Sequence, residues 1–140
     1  MANRPAVLLF EDNLGDVGLI SAALEDCSTG VDLHTVSAVD RAIAFLQRRT
    51  PFESAPTPSL VITDFYRAER IAAKRLLDYL EEHRTPGMPI VVLTASADPR
   101  HREACAKPWV AEYCVKPCEW GGYQTLIARL VRRWVKRQAG

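Results

Sequence analysis

Ser59-Leu60-Val61-Ile62-Thr63-Asp64 is a short apolar run that ends abruptly in an acid. Val61, Ile62 and Thr63 are β-branched in succession and favour an extended strand. An acid directly after such a run stands where a buried strand leaves its sheet. In an open parallel sheet, ligands and chemistry collect at the carboxyl ends of the strands. Asp64 is therefore either a solvated strand terminus or a reactive oxygen, and the rest of the chain has to decide between them.

Two other runs share this form. Ala6-Val-Leu-Leu-Phe10 is continuously apolar, as suits a strand covered on both faces, and it runs into Glu11-Asp12. Pro89-Ile-Val-Val-Leu93 runs into Thr94-Ala-Ser96. Tyr113-Cys-Val115 is a shorter strand ending in Lys116-Pro117, and Val31 to Val36 alternates like an edge strand. Helical patterns lie between them. Asn13 is placed to cap a helix whose apolar face is Val17, Ile20, Leu24 and Cys27, with Asp16 in its first turn. Ser37 and Asp40 form an N-cap pair ahead of Ala42, Ile43 and Leu46. Glu69 to Arg84 carries Ala72, Ala73, Leu76, Leu77 and Leu80 on one face. Asp98-Pro99 opens a short helix to about Lys107. Tyr123, Leu126, Ile127, Leu130, Val131, Trp134 and Val135 form the stripe of the last helix. The segment from Thr50 to Pro58 holds three prolines and reads as a connecting loop pinned by Phe52. Strand and helix alternate five times, which predicts a parallel sheet with helices on both faces.

The composition excludes several classes. With 18 basic and 17 acidic residues in 140, the chain lacks the charge excess of a general nucleic-acid binder. It has no apolar run long enough to cross a membrane and no secretory leader pattern, so a cytoplasmic protein with no DNA or membrane partner is expected. Cys27, Cys105, Cys114 and Cys118 form no C-x-x-C pair and have no histidine at finger spacing, so they read as reduced apolar residues. The bases of the last helix read as a solvated face.

Parallel strands bring Glu11, Asp12, Asp64, Thr94 and Lys116 to one edge. Three close acids are unfavourable without a neutralising cation, and oxygen-only ligands suit Mg²⁺. A lysine and a hydroxyl beside them would bind phosphate oxygens. The chemistry this suggests is phosphoryl transfer to a carboxylate, giving an aspartyl-phosphate.

The chain resembles the response-regulator receiver domains of bacterial two-component signalling. The likeness rests on Glu11-Asp12-Asn13, Asp64, Thr94-Ala-Ser96 and Tyr113-Cys-Val-Lys116-Pro117, in order and each at a strand end. A narrower likeness is to the stand-alone regulators associated with phytochromes. It rests on Glu-Asp-Asn-Leu-Gly-Asp16, the proline-bearing connection before Asp64, and Trp134. The resemblance implies a flavodoxin-like (βα)5 doubly wound sheet of order 2-1-3-4-5. It implies a single receiver domain over residues 1–140, core about 5–138, without an output domain. Asp64 would accept a phosphoryl group from a sensor histidine kinase, and the narrower likeness implies one of phytochrome type. Glu11, Asp12, Asp64 and the backbone carbonyl of Tyr66 would hold Mg²⁺. Lys116 and Thr94 would contact the phosphoryl group, with Thr94 and Tyr113 as switch residues. Such a protein is not an enzyme beyond assisting its own phosphorylation and dephosphorylation. It signals by conformational change to a downstream protein or phosphotransfer partner.

Two departures stand out. The family's loop with proline and Asp-Gly is replaced by Phe65-Tyr66-Arg67-Ala-Glu-Arg-Ile-Ala72, and Trp109 stands where the family often has glycine. The altered loop supports an alternative, a receiver-fold interaction module that needs no phosphate. A phosphatase of the haloacid-dehalogenase kind would need a second acid at position 66, where Tyr66 stands. Trp134 and Val135 lie so far along the last helix that they are expected to overrun the sheet and support a homodimer.

Overall fold

The computed structural model describes residues 4–27, 30–64, 70–83, 85 and 87–135. Five strands, β1 (Ala6–Phe10), β2 (Asp32–Val36), β3 (Leu60–Thr63), β4 (Ile90–Thr94) and β5 (Val110–Val115), alternate with five helices. The helices are α1 (Leu14–Asp26), α2 (Val39–Gln47), α3 (Arg70–His83), α4 (Pro99–Ala104) and α5 (Trp120–Trp134). Every strand pair is parallel and the order is β2-β1-β3-β4-β5, the expected doubly wound topology.

The unbroken apolar runs have a simple cause. Alternate side chains of one strand enter opposite layers. Leu8, Phe10, Val61, Ile90 and Val92 pack with α2 and α3 through Phe45, Leu76, Leu77 and Leu80. Val7, Leu9, Leu60, Ile62, Val91 and Leu93 pack with α1 and α5 through Ile20, Leu24, Ile127 and Leu130. Both faces are buried, so polar residues on the central strands are confined to their carboxyl ends, at Thr63 and Thr94. Each fully buried Leu or Ile contributes about 1.5–3 kcal/mol of transfer free energy, which is why the central strands fix the layer order.

Local signals mostly hold. Asn13 caps α1 by accepting a bond from the Asp16 N–H at 3.0 Å. Asp98 caps α4 by accepting from the Arg100 N–H at 2.9 Å, with Pro99 following. Phe52 pins the proline-bearing loop, its ring 5.3 Å from that of Phe45. Three expectations need correction. The N-cap of α2 is Ala38 and no side chain caps it, so Ser37 does not act as read. The helix α4 ends at Ala104 rather than near Lys107. β5 begins at Val110, because the register slips between Ile90↔Val110 and Val91↔Glu112 and leaves Ala111 as an extra residue. A bulge of this kind hides the strand from a period-two reading.

The argument for a dimer also changes. Trp134 does not overrun the sheet: its Nε1 donates to Glu112 Oε1 at 2.7 Å, and it packs on the α1/α5 layer. Val135 is buried there as well. Glu112 further accepts from Arg129 at 2.7 Å and pairs with Arg133 at 3.5 Å, so the end of α5 is tied to β5 within the chain. Among the described residues no helix is long and apolar enough to cross a membrane.

Candidate phosphoacceptor site

The sheet register builds the site. Phe10 pairs with Thr63, so Glu11 and Asp64 leave adjacent strands at one level. Asp64 N–H donates to the Phe10 carbonyl at 3.1 Å, and Glu11 N–H donates to the Val36 carbonyl at 3.0 Å. Thr94 pairs with Val115, and the Lys116 N–H reaches the Thr94 carbonyl at 2.6 Å. Glu11, Asp64 and Thr94 are buried polar residues at this edge, whereas Asp12 is exposed.

Lys116 is the centre. Its ammonium donates to Glu11 Oε1 at 2.6 Å, to Asp16 Oδ2 at 2.6 Å and to Asp64 Oδ2 at 3.2 Å. An ammonium has three N–H donors, and all three are engaged. Glu11 Oε2 accepts from the Asn13 N–H at 3.1 Å, which ties this carboxylate to the entry of α1. Burial and the neighbouring Glu11 push the Asp64 carboxyl up to about 7, against the pull of Lys116. Burial works against the charge of Lys116, but Asp16, Glu11 and Asp64 outweigh it and raise its pKa above the ordinary lysine range.

Asp16 and Tyr123 belong to this site and were not read as part of it. The Tyr123 hydroxyl donates to Asp16 Oδ1 at 3.3 Å from a side chain only 2% exposed. Burial and Asp16 push its pKa up to about 12. The signal for Asp16 lay in its place in the first turn of α1, directly after the strand end that carries Glu11. Tyr123 gave no such signal, being one more member of an apolar stripe.

Thr94 and Tyr113 are joined through the loop after β4. The Ser96 N–H donates to Thr94 Oγ1 at 3.3 Å, and the Tyr113 hydroxyl donates to the Ser96 carbonyl at 3.0 Å. Ser96 Oγ accepts from the Asp98 N–H at 3.1 Å and bonds His101 Nδ1, so Ser96 serves the loop itself. Arg102 lies over the Tyr113 ring at 4.9 Å. Tyr66, Phe65 and Arg67 lie outside the described residues.

The donor chemistry suits a hard divalent cation, since the edge supplies carboxylate oxygens in excess of positive charge. Among the described residues, however, no group of three or more acids, histidines or cysteines stands close enough to hold a metal as arranged. Lys116 occupies the middle of the acids, bonding Glu11, Asp16 and Asp64. Glu11, Asp12 and Asp64 would supply carboxylate oxygens to such a cation, and Asp64 Oδ2 is at the long end of the lysine's contacts.

The strand order is that of a flavodoxin-like doubly wound sheet, with acids at the ends of β1 and β3, a hydroxyl at β4 and a lysine at β5, and receiver domains share this fold. The chain's relatives and structural neighbours are response regulators. It is 29% identical over 96 residues to the response regulator Rcp1 of Synechocystis sp., a match covering 68% of this chain and 65% of Rcp1. The chain thus spans slightly less than two thirds of the length of that relative. The structure of the Mn²⁺-bound form of Rcp1 superposes with a TM-score of 0.81 at 22% identity, over 94% of this chain and 95% of that one. The phosphorylated cyanobacterial phytochrome response regulator RcpA superposes with a TM-score of 0.80 at 22% identity, over 96% of each chain. No family model matches the chain.

Proposed function

We propose that this chain is a response regulator whose Asp64 accepts a phosphoryl group from a sensor histidine kinase, of phytochrome type on the likeness to RcpA. The observation that carries the reading is the buried Asp64 carboxylate held by Lys116 beside Glu11, with the hydroxyl-bearing Thr94 on the next strand. The Asp64 oxygen attacks the phosphorus of the donor, the bond from phosphorus to the donor's leaving group breaks, and the leaving group departs with its electron pair. Such transfer needs mainly positioning and charge neutralisation. Lys116 supplies one positive charge. Mg²⁺ would supply the rest, held by Glu11, Asp12, Asp64 and the Tyr66 carbonyl. Thr94 is placed to bond a phosphoryl oxygen. Its movement would release the Ser96 N–H and disturb the loop on which Tyr113 rests. That is a local charge event biasing a two-state element. The protein is thus no enzyme on other molecules and assists only its own phosphorylation and dephosphorylation.

Leu14, Val115 and Trp120 are large apolar residues exposed at 83%, 40% and 40%, and all stand at this same edge. They offer a protein donor apolar surface beside the phosphoacceptor. The setting we propose is cytoplasmic, and the signal passes on by protein contact or onward phosphotransfer. The test is intact-mass measurement after incubation with acetyl phosphate. The expected result is one added phosphoryl group, lost when Mg²⁺ is chelated. No gain at saturating Mg²⁺ would leave the phosphate-independent interaction module as the reading.

A homodimer through α5 is also proposed. Thr125 and Arg132 remain exposed on that helix and are available to a second copy. Light scattering at micromolar concentration is expected to give twice the chain mass, and the mass of one chain would overturn it.

A further inference from the structure

The ammonium of Lys116 has a third anchor that the proposed phosphotransfer does not need. Glu11 and Asp64 are required at the edge in any case. Asp16 comes from α1, and its Oδ2 is as close to Nζ as Glu11 is, at 2.6 Å against 3.2 Å for Asp64. The side chain of Lys116 is 9% exposed, so solvent screens these contacts little. The Tyr123 hydroxyl, fixed on α5, bonds the other oxygen of Asp16. The two helices that carry Asp16 and Tyr123 pack against each other on the same face of the sheet.

We propose that Asp16 is a positioning residue that holds Lys116 back from the phosphoacceptor, and that Tyr123 sets the strength of that hold. This inference rests on the reading of Asp64 as the phosphoacceptor. A phosphoryl group on Asp64 brings about two negative charges, spread over three oxygens, to the acid where Nζ now gives its longest bond. Asp16 then acts against the phosphorylated form in two ways. It retains one of three N–H donors and part of the lysine's charge, and its own negative charge faces the incoming anion. Tyr123 moderates both effects. By donating to Asp16 Oδ1 it takes up part of the carboxylate's charge, which loosens the grip of Asp16 on Lys116. The two substitutions therefore have opposite expected signs. Asp16→Asn keeps the side-chain shape and removes the charge, so the phosphorylated state gains. Tyr123→Phe keeps the ring and removes the donor, so Asp16 holds Lys116 harder and the phosphorylated state loses.

The experiment is titration with beryllofluoride, a phosphoryl analogue, at saturating Mg²⁺, followed by intrinsic fluorescence or NMR of the intact protein. Asp16→Asn is expected to bind the analogue about fivefold tighter than the parent, and Tyr123→Phe about twofold weaker. In the Asp16→Asn background the Tyr123→Phe change should have no further effect. A purely structural role for these residues would weaken binding in both variants, and that common sign would overturn the inference. Unchanged affinity in Asp16→Asn would overturn it too. If the parent protein binds no analogue and takes no phosphoryl group from acetyl phosphate, the phosphoacceptor reading falls, and the inference falls with it. If the parent binds normally, a failure in the variants counts against the role of Asp16 alone.

Discussion

Asp64 is 4% exposed and has a carboxylate neighbour, and both facts disfavour its charge. The folded chain therefore binds a proton here more readily than the unfolded chain does. Between the ordinary value of 3.8 and the folded value of about 7, this group makes stability fall as pH rises. Above that window the full cost of the buried charge is present, and below it the cost is absent. Asp64→Asn removes the charge. With divalent metal chelated, it should stabilise the protein at pH 8 by on the order of 1 kcal/mol, a rise of roughly 2–4 °C in melting temperature. The gap should shrink toward pH 4. Thermal melts across pH check this, and a gap that grows on acidification would contradict it. At this scale Glu11, Asp64, Thr94 and Lys116 were legible, because a parallel sheet brings every strand end to one edge. Asp16 and Tyr123 were not, because where a helical side chain lands depends on how α1 and α5 pack together.

Each element carries its own limits on the site. Gly122 lies in the first turn of α5, against the Lys116-Pro117 turn. A Cβ there would stand 2.7 Å from Pro117 Cβ and 3.4 Å from Pro117 Cγ. The proline ring cannot swing aside, so Gly122→Ala must move the turn that aims Lys116 or tilt the start of the helix. Alanine would gain up to about 1 kcal/mol of helix propensity, but overpacking costs about 1–3 kcal/mol. The expected result is a lower melting temperature, by a few degrees, together with slower labelling by acetyl phosphate. Unchanged labelling in a folded variant would show that this contact does not aim the lysine. Elements with both faces buried, β1, β3 and β4, were plain in the sequence as continuous apolar runs. β5 was read too short because Ala111 breaks its pairing with β4. The cap of α2 was misread because Ser37 sits two residues before the helix, and backbone geometry at Ala38 makes the turn instead.

At the scale of the whole molecule, two apolar layers clamp one sheet, and the acids, hydroxyl and lysine gather at its carboxyl edge. The topology was legible because alternation of strand and helix leaves few ways to fold. The dimer argument was not sound from sequence. Trp134 looked surplus as a stripe residue, yet Glu112 on a neighbouring strand gives its indole N–H a partner. The account as a whole stands on one residue becoming phosphorylated. The most direct measurement is mass-spectrometric mapping of the phosphoryl group after acetyl phosphate treatment with Mg²⁺, in the parent and in Asp64→Asn. The account predicts a single labile phosphoryl group on Asp64 in the parent and none in the variant. Equal labelling of both proteins, or labelling of neither, would contradict it.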